Sequence, residues 1–280
     1  MIIEKRKEKM NAFEALKKKD RIVVKIGSSS LMHEETGDVN FEKMEKLVRN
    51  LTDLKNRGKN VILVSSGAMA AGRKALNLSR HDVKTKAMKQ ATAAVGQARL
   101  MMFYQKLFAE YNQVAAQVLL TKFTFTNPVS LVNATNTFDE LLKLGVIPIV
   151  NENDTIATDE IDFGDNDTLS AEIAKLTDSD LLILLSDIDG LYNKDPHKNE
   201  DAELIRVVEA VDEKIDAMAG GAGSDYGTGG MTTKLNAARI ATGAGCDMVI
   251  ANASDVGVIL RLADGNEEGT LFLAHKEYRD

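Results

Sequence analysis

Short apolar runs alternate along this chain with longer stretches whose apolar positions recur at helical spacing. The runs are RIVVKIG (21–27), NVILVSS (60–66), VAAQVLL (114–120), VIPIVN (146–151), DLLILLS (180–186) and DMVIAN (247–252), with a weaker one at TLFLA (270–274). Their length and β-branched content predict strands. Between them, 41–57 has a clear helical pattern. Met44, Leu47, Val48, Leu51 and Leu54 share one stripe, Asn40 stands where a cap is needed, and Gly58 follows the end. Further helices are predicted at 82–110, 130–144, 166–178 and 231–243, and residues 1–20 read as a short charged helix ahead of the core.

Strands separated by helices call for parallel pairing with right-handed crossovers. Strands that are apolar throughout fit a sheet covered on both faces. No linker, low-complexity tract or repeat divides the pattern. The expected architecture is α/β: a three-layer α/β/α sandwich around a mainly parallel central sheet, with 21–280 as one domain. Ligands of such sheets bind beyond the carboxyl ends of the strands. Four strand ends turn small or polar there, in KIGSSS, VSSGA, VNENDT and LSDIDG. They are expected to converge on one crevice.

Composition narrows the partners. With 44% hydrophobic residues in 280, the chain can bury a full core. Its 42 acidic against 35 basic residues give a net charge of -7, which argues against nucleic acid as the main partner but leaves room for small anions. The single cysteine, Cys246, cannot form an internal disulfide and fits a reducing compartment. Apolar runs such as LLILL (181–185) fall far short of the roughly 20 residues that span a bilayer. The N-terminus mixes acids and bases without an apolar segment, unlike a signal or transit peptide. A cytoplasmic protein is expected.

Several stretches carry candidate chemistry, each with a plainer alternative. Lys25, between Val24 and Ile26, either meets an anion or marks a solvated strand end. SSGA (65–68) is either an ordinary tight turn or a place where Gly67 lets a ligand approach the free N–H groups of the following helix. Acids at 152, 154, 159, 160, 162, 165 and 167 crowd one connection. That is a solvated loop or, with its neighbouring asparagines, a site for an amino acid: carboxylate pairs with ammonium, and amide hydrogen-bonds carboxylate. The EF-hand spacing fails there. In LSDIDGLYNKDP the spacing favours a turn at Asp189-Gly190, with Asp187 a candidate for a ribose or base. GTGGMTTK (227–234) is a flexible turn or a phosphate loop.

Familiar fingerprints are absent. G-x-G-x-x-G fails from Gly221, where Tyr226 takes the third position, and from Gly243, where Met248 does. The Gly58-Lys59 pair is followed by Asn60, so there is no Walker A sequence. His33, His81, His197 and His275 are scattered, which makes a zinc site unexpected.

VVKIGSS, VSSGAMAAG, AAVGQARL, VIPIVNENDT, GDNDTLSA and GTGGMTTKLNAA occur in this order from about residue 20 to 275. As a set they resemble the amino acid kinase family, and within it the members that phosphorylate the side-chain carboxylate of glutamate with ATP and Mg²⁺ for proline biosynthesis. The resemblance implies that Lys25 and Lys234 contact the ATP phosphates and stabilise the transferring group. It implies that Thr228, Gly229, Gly230, Met231, Thr232, Thr233 and Lys234 form the nucleotide loop, with Ser186 and Asp187 also on ATP. Ser66, Asp154 and Asn166 would hold glutamate, with Asn151 close by, while Asp165 and Asp167 would orient the lysines or engage Mg²⁺. Ser65 and Ser186 stand where threonine is common in the family, and both keep a hydroxyl.

Feedback inhibition by proline and a dimer or tetramer are also implied by the resemblance; the product, an acyl phosphate, is labile to water, so transfer to a glutamyl phosphate reductase is expected. The same lability calls for a lid, expected in the glycine-rich 219–230. Many members carry a C-terminal PUA domain, for which this chain is expected to have no room. The alternatives are a family kinase with another carboxylate, carbamate or phosphate substrate, or a non-catalytic sensor of amino acid or nucleotide.

Overall fold

The computed structural model describes residues 12–33, 36–157, 166–196, 198–220 and 230–275. The chain folds as two compact units, Ile26–Asn166 and the combination of Met1–Lys25 with Asp167–Asp280. Strand β1 (Arg21–Ile26) opens the fold and belongs, up to Lys25, to the second of these.

In the unit Ile26–Asn166, strands β2 (Asn60–Ser65), β3 (Ala115–Leu120) and β4 (Ile147–Glu152) lie in the order β3-β4-β2. Both pairings are parallel, with Leu63 opposite Ile149 and the β3–β4 register running from Ala115↔Ile147 to Leu120↔Glu152. β2 and β4 are almost wholly buried, as expected of apolar runs. β3 is not: Gln117 is exposed and Val114, just before it, is 65% exposed. β4 flanks it on one side, and it forms the edge of the sheet.

The Phe41–Asn56 helix follows its sequence signals closely. Asn40 accepts a hydrogen bond from the Lys43 N–H at 2.9 Å, the five stripe residues are fully buried, and Gly58 takes φ +84° just past the end. The helix expected at 82–110 starts later, at Lys86, capped by Thr85. Asp82 is held in a turn instead, its carboxylate accepting from the N–H and hydroxyl of Ser79 at 2.7 Å each. The helix expected at 130–144 runs Pro128–Lys143, with Asn127 as cap.

The other unit has strand order β1-β5-β7-β8-β6, with β5 (Leu181–Ser186), β6 (Val207–Val208), β7 (Asp247–Asn252) and β8 (Thr270–Phe272). β5 and β7 pair in parallel over their full lengths, Leu181↔Asp247 to Ser186↔Asn252. β8 runs antiparallel to β7. Their connection includes the six-residue Val258–Ala263 helix. The Met231–Gly243 helix occupies the predicted residues, and Asn166–Leu176 fills most of its predicted span. Ahead of β1, Phe13 and Leu16 are buried, and Lys19 pairs with Asp247 at 2.7 Å.

A mainly parallel sheet with helices, the expected class, is thus what the chain forms. Among the described residues no helix is long and apolar enough to cross a membrane.

Candidate active site

Lys25 sits near the end of β1 and is 9% exposed; Lys234, in the second turn of the Met231–Gly243 helix, is 4% exposed. Both ammoniums reach one carboxylate, that of Asp167 in the first turn of the Asn166–Leu176 helix. Lys25 Nζ lies 2.5 Å from Oδ1 and Lys234 Nζ 3.1 Å from Oδ2. Thr233 donates its hydroxyl to the Gly230 carbonyl at 2.7 Å and faces Asp167 Oδ2 at 3.5 Å. Burial pushes the Asp167 carboxyl up, but the two lysines outweigh it and hold the group below the usual carboxylate range. Two buried cations on one anion leave a net positive charge, an arrangement that suits a polyanionic ligand. This decides between the readings of Lys25: it is buried against an anion and does not mark a solvated strand end.

A second cluster lies in the unit Ile26–Asn166. The Asn166 side-chain amide donates to Ser66 Oγ at 2.6 Å and to Asn151 Oδ1 at 3.1 Å. Asn151, at the end of β4, in turn donates from Nδ2 to Gln97 Oε1 at 2.9 Å. Three of the four residues expected to surround glutamate are therefore in direct contact. The fourth, Asp154, is half-buried in the turn after β4. Gly67 follows Ser66 at φ +114°, a conformation that favours glycine, and opens the Ala68–Ala75 helix. One residue earlier, Ser65 Oγ meets the buried Tyr104 hydroxyl at 2.7 Å.

At the end of β5, Ser186 is buried and donates to Asp187 Oδ1 at 3.0 Å, while Asp187 itself is exposed. Asn252, opposite Ser186 in the β5–β7 register, donates to Asp189 at 2.6 Å. Gly230 caps the Met231–Gly243 helix; Met231 and Thr233 are half-buried and Thr232 is exposed. Asp165, Thr228, Gly229 and most of the lid segment at 219–230 lie outside the described residues. Gln97 and Tyr104 were given no role by the sequence. The only trace of Gln97 was its place inside AAVGQARL.

Residues 20–252 match the model of the amino acid kinase family. The chain belongs to that family. It is 54% identical over 264 residues to the glutamate 5-kinase of Carboxydothermus hydrogenoformans, covering 94% of this chain and 70% of that protein. To the glutamate 5-kinase of Clostridium tetani it is 53% identical over 266 residues, 95% of this chain and 99% of the other. Among solved structures, UMP kinase from Bacillus anthracis is similar with a TM-score of 0.63 at 16% identity, over 91% of this chain and 96% of that one. An isopentenyl phosphate kinase is similar with a TM-score of 0.59, also at 16% identity, over 90% and 99%. At such identities these two structures speak for the amino acid kinase fold alone.

Proposed function

We infer that this chain phosphorylates the side-chain carboxylate of glutamate with ATP, giving glutamyl 5-phosphate, the first step of proline biosynthesis. The observation that carries the reading is the Lys25–Asp167–Lys234 cluster: two buried ammoniums ordered by one carboxylate where a family kinase needs to receive phosphates. Identity of about half to glutamate 5-kinases supports the choice of substrate.

The chemistry needs no general base. The glutamate side chain, with a reference pKa of about 4.3, is ionised at neutral pH. Its oxygen attacks the γ-phosphorus, an O–P bond forms, and the bond to the ADP oxygen breaks; no proton has to leave. The obstacle is repulsion between a carboxylate and a polyanion. Lys25 and Lys234 counter it with charge that is already in place, which avoids reorganisation in the transition state. Asp167 orders the two ammoniums, so each lysine presents a fixed charge. Asn166, next in the chain to Asp167, holds glutamate with Ser66, Asn151 and Asp154. Gly230, Met231, Thr232 and Thr233, with Ser186 and Asp187, take the nucleotide, and Thr228 and Gly229 complete that loop in this reading.

Magnesium enters with the nucleotide. Both oxygens of Asp167 already face ammoniums, and no group of three His, Cys, Asp or Glu side chains gathers among the described residues. In this reading the ion comes in with the nucleotide as MgATP, and Asp165, the other acid that the family resemblance places toward it, lies outside the described residues. The same reading takes proline as inhibitor, a homo-oligomer as working form, a reductase as acceptor of the labile product and the cytoplasm as location; these rest on the family resemblance.

Incubation with ATP, Mg²⁺ and glutamate, with the product trapped as hydroxamate, tests the reading. Glutamate-dependent hydroxamate is expected, and its absence would sink the assignment. Lys234→Ala is expected to abolish turnover; activity that survived intact would mean that the role given to this lysine is wrong.

A further inference from the structure

We propose that Gln97 is a positioning residue for the amino-acid substrate, fixing which end of the Asn166 carboxamide faces the ligand. The proposal rests on the reading that Asn166 holds glutamate.

The two ends of a carboxamide have nearly the same shape and opposite polarity, N–H₂ donating and C=O accepting. Carboxamides touching end to end therefore form a relay with two self-consistent directions, and choosing one end fixes the other. Here the direction runs outward from Gln97. Its Oε1 accepts from Asn151 Nδ2 at 2.9 Å, which leaves Asn151 Oδ1 to accept from Asn166 Nδ2 at 3.1 Å. The second hydrogen of Asn166 Nδ2 goes to Ser66 Oγ at 2.6 Å. With both hydrogens directed at protein oxygens, what Asn166 offers a ligand is its carbonyl oxygen. That oxygen matches the ammonium of an amino acid. In the reversed relay the N–H₂ end would face the ligand and would match a carboxylate instead.

The inner end of the relay is the part that tolerates a mismatch least. Gln97 and Asn151 are 8% and 4% exposed, so water is poorly placed to satisfy either group and a mismatched pair would be costly. Gln97 is also rigidly placed. Its neighbour Gly96 lies so close to the Ala68–Ala75 helix that an added Cβ would fall 1.7 Å from the Ala68 carbonyl oxygen. The contact ties the helix carrying Gln97 to the segment that begins at Ser66 and Gly67.

Two substitutions in the full chain separate this role from a structural one. Gln97→Met keeps the length and removes both polar atoms; Gln97→Glu keeps an accepting oxygen toward Asn151 in either protonation state. The Michaelis constant for glutamate is expected to rise about tenfold in Gln97→Met, the worth of one hydrogen bond near 1.4 kcal/mol, while that for ATP stays within about twofold. Gln97→Glu is expected to bring the glutamate constant back to within about threefold of the parent. An unmoved glutamate constant in Gln97→Met, or a fall in kcat alone with both constants unchanged, would overturn the relay while the kinase reading stands. Should Gln97→Met fail to fold, Gln97→Glu decides by itself, because a tenfold rise there would mean that Gln97 acts as the donor. A parent enzyme without glutamate-dependent turnover would overturn the kinase reading and the relay together.

Discussion

Asp167 is subject to two opposing effects of similar origin. Burial disfavours its charge, the neighbouring Lys25 and Lys234 favour it, and the lysines win, so its carboxyl lies below the ordinary value of 3.8. The sign follows from linkage. A group whose folded value is depressed adds stability that is fully present above its unfolded value and is lost as pH falls through the folded one. Asp167→Asn keeps the shape but strands two buried cations, so a loss of about 3 kcal/mol at neutral pH is expected, with kcat down at least about a hundredfold. Urea titrations at neutral pH and at a series of pH values below about 4 check this: the gap between parent and variant should narrow as pH falls below the unfolded value and close once it passes the depressed folded one, where the parent loses the same charge. Equal stability of the two at neutral pH would mean that the cluster contributes nothing to the fold. Lys25 was legible in the sequence because a lysine inside an apolar strand needs an anion. By spacing alone Asp167 was one of seven crowded acids; the family resemblance named it, with Asp165, as orienting the lysines or engaging Mg²⁺, and the helix start places it against both lysines.

The helices Ala68–Ala75 and Lys86–Glu110 meet through small residues. A Cβ on Gly72 would fall 1.9 Å from the Thr92 carbonyl oxygen, and one on Gly96 1.7 Å from that of Ala68. Gly96→Ala must therefore push the two backbones apart, at a cost of about 1–3 kcal/mol in denaturant unfolding, and shift the Ser66–Gly67 turn. A raised Michaelis constant for glutamate should accompany the lost stability, and an undisturbed constant would separate this contact from the site. The same packing explains what the sequence concealed. AMAAGRKA carries no stripe of large apolar side chains, because its contact surface is backbone, alanine and glycine; a helix was expected after Gly67, but without boundaries. The apolar strands were legible because both faces are covered, and the 41–57 helix because its stripe is bulky. β6 was missed since two residues, Val207 and Val208, have no periodicity to detect. Gln97 was missed because a residue that acts through another side chain leaves no spacing of its own.

The whole chain carries a charge of -7, yet in the proposed function it accepts two anions, and that proposal divides the task between two sets of candidate residues. Lys25, Lys234 and Asp167 belong to one compact unit; Ser66, Asn151 and Asn166 belong to the other. If the roles are assigned correctly, the two ligands should be separable by mutation even though turnover needs both. A ligand that binds only the folded state stabilises it by about 2.7 kcal/mol at a concentration a hundred times its dissociation constant, enough to read as a shift in Tm. Asn166→Ala is expected to lose the shift caused by glutamate and keep that caused by MgATP. Lys234→Ala is expected to do the reverse, keeping the glutamate shift while the MgATP shift shrinks. Both variants should be inactive in the hydroxamate assay, so activity alone cannot tell them apart, whereas the pair of melting curves can. Loss of both shifts in either variant would mean that the residue holds the fold, and an exchange of the two patterns would reverse the assignment of the clusters.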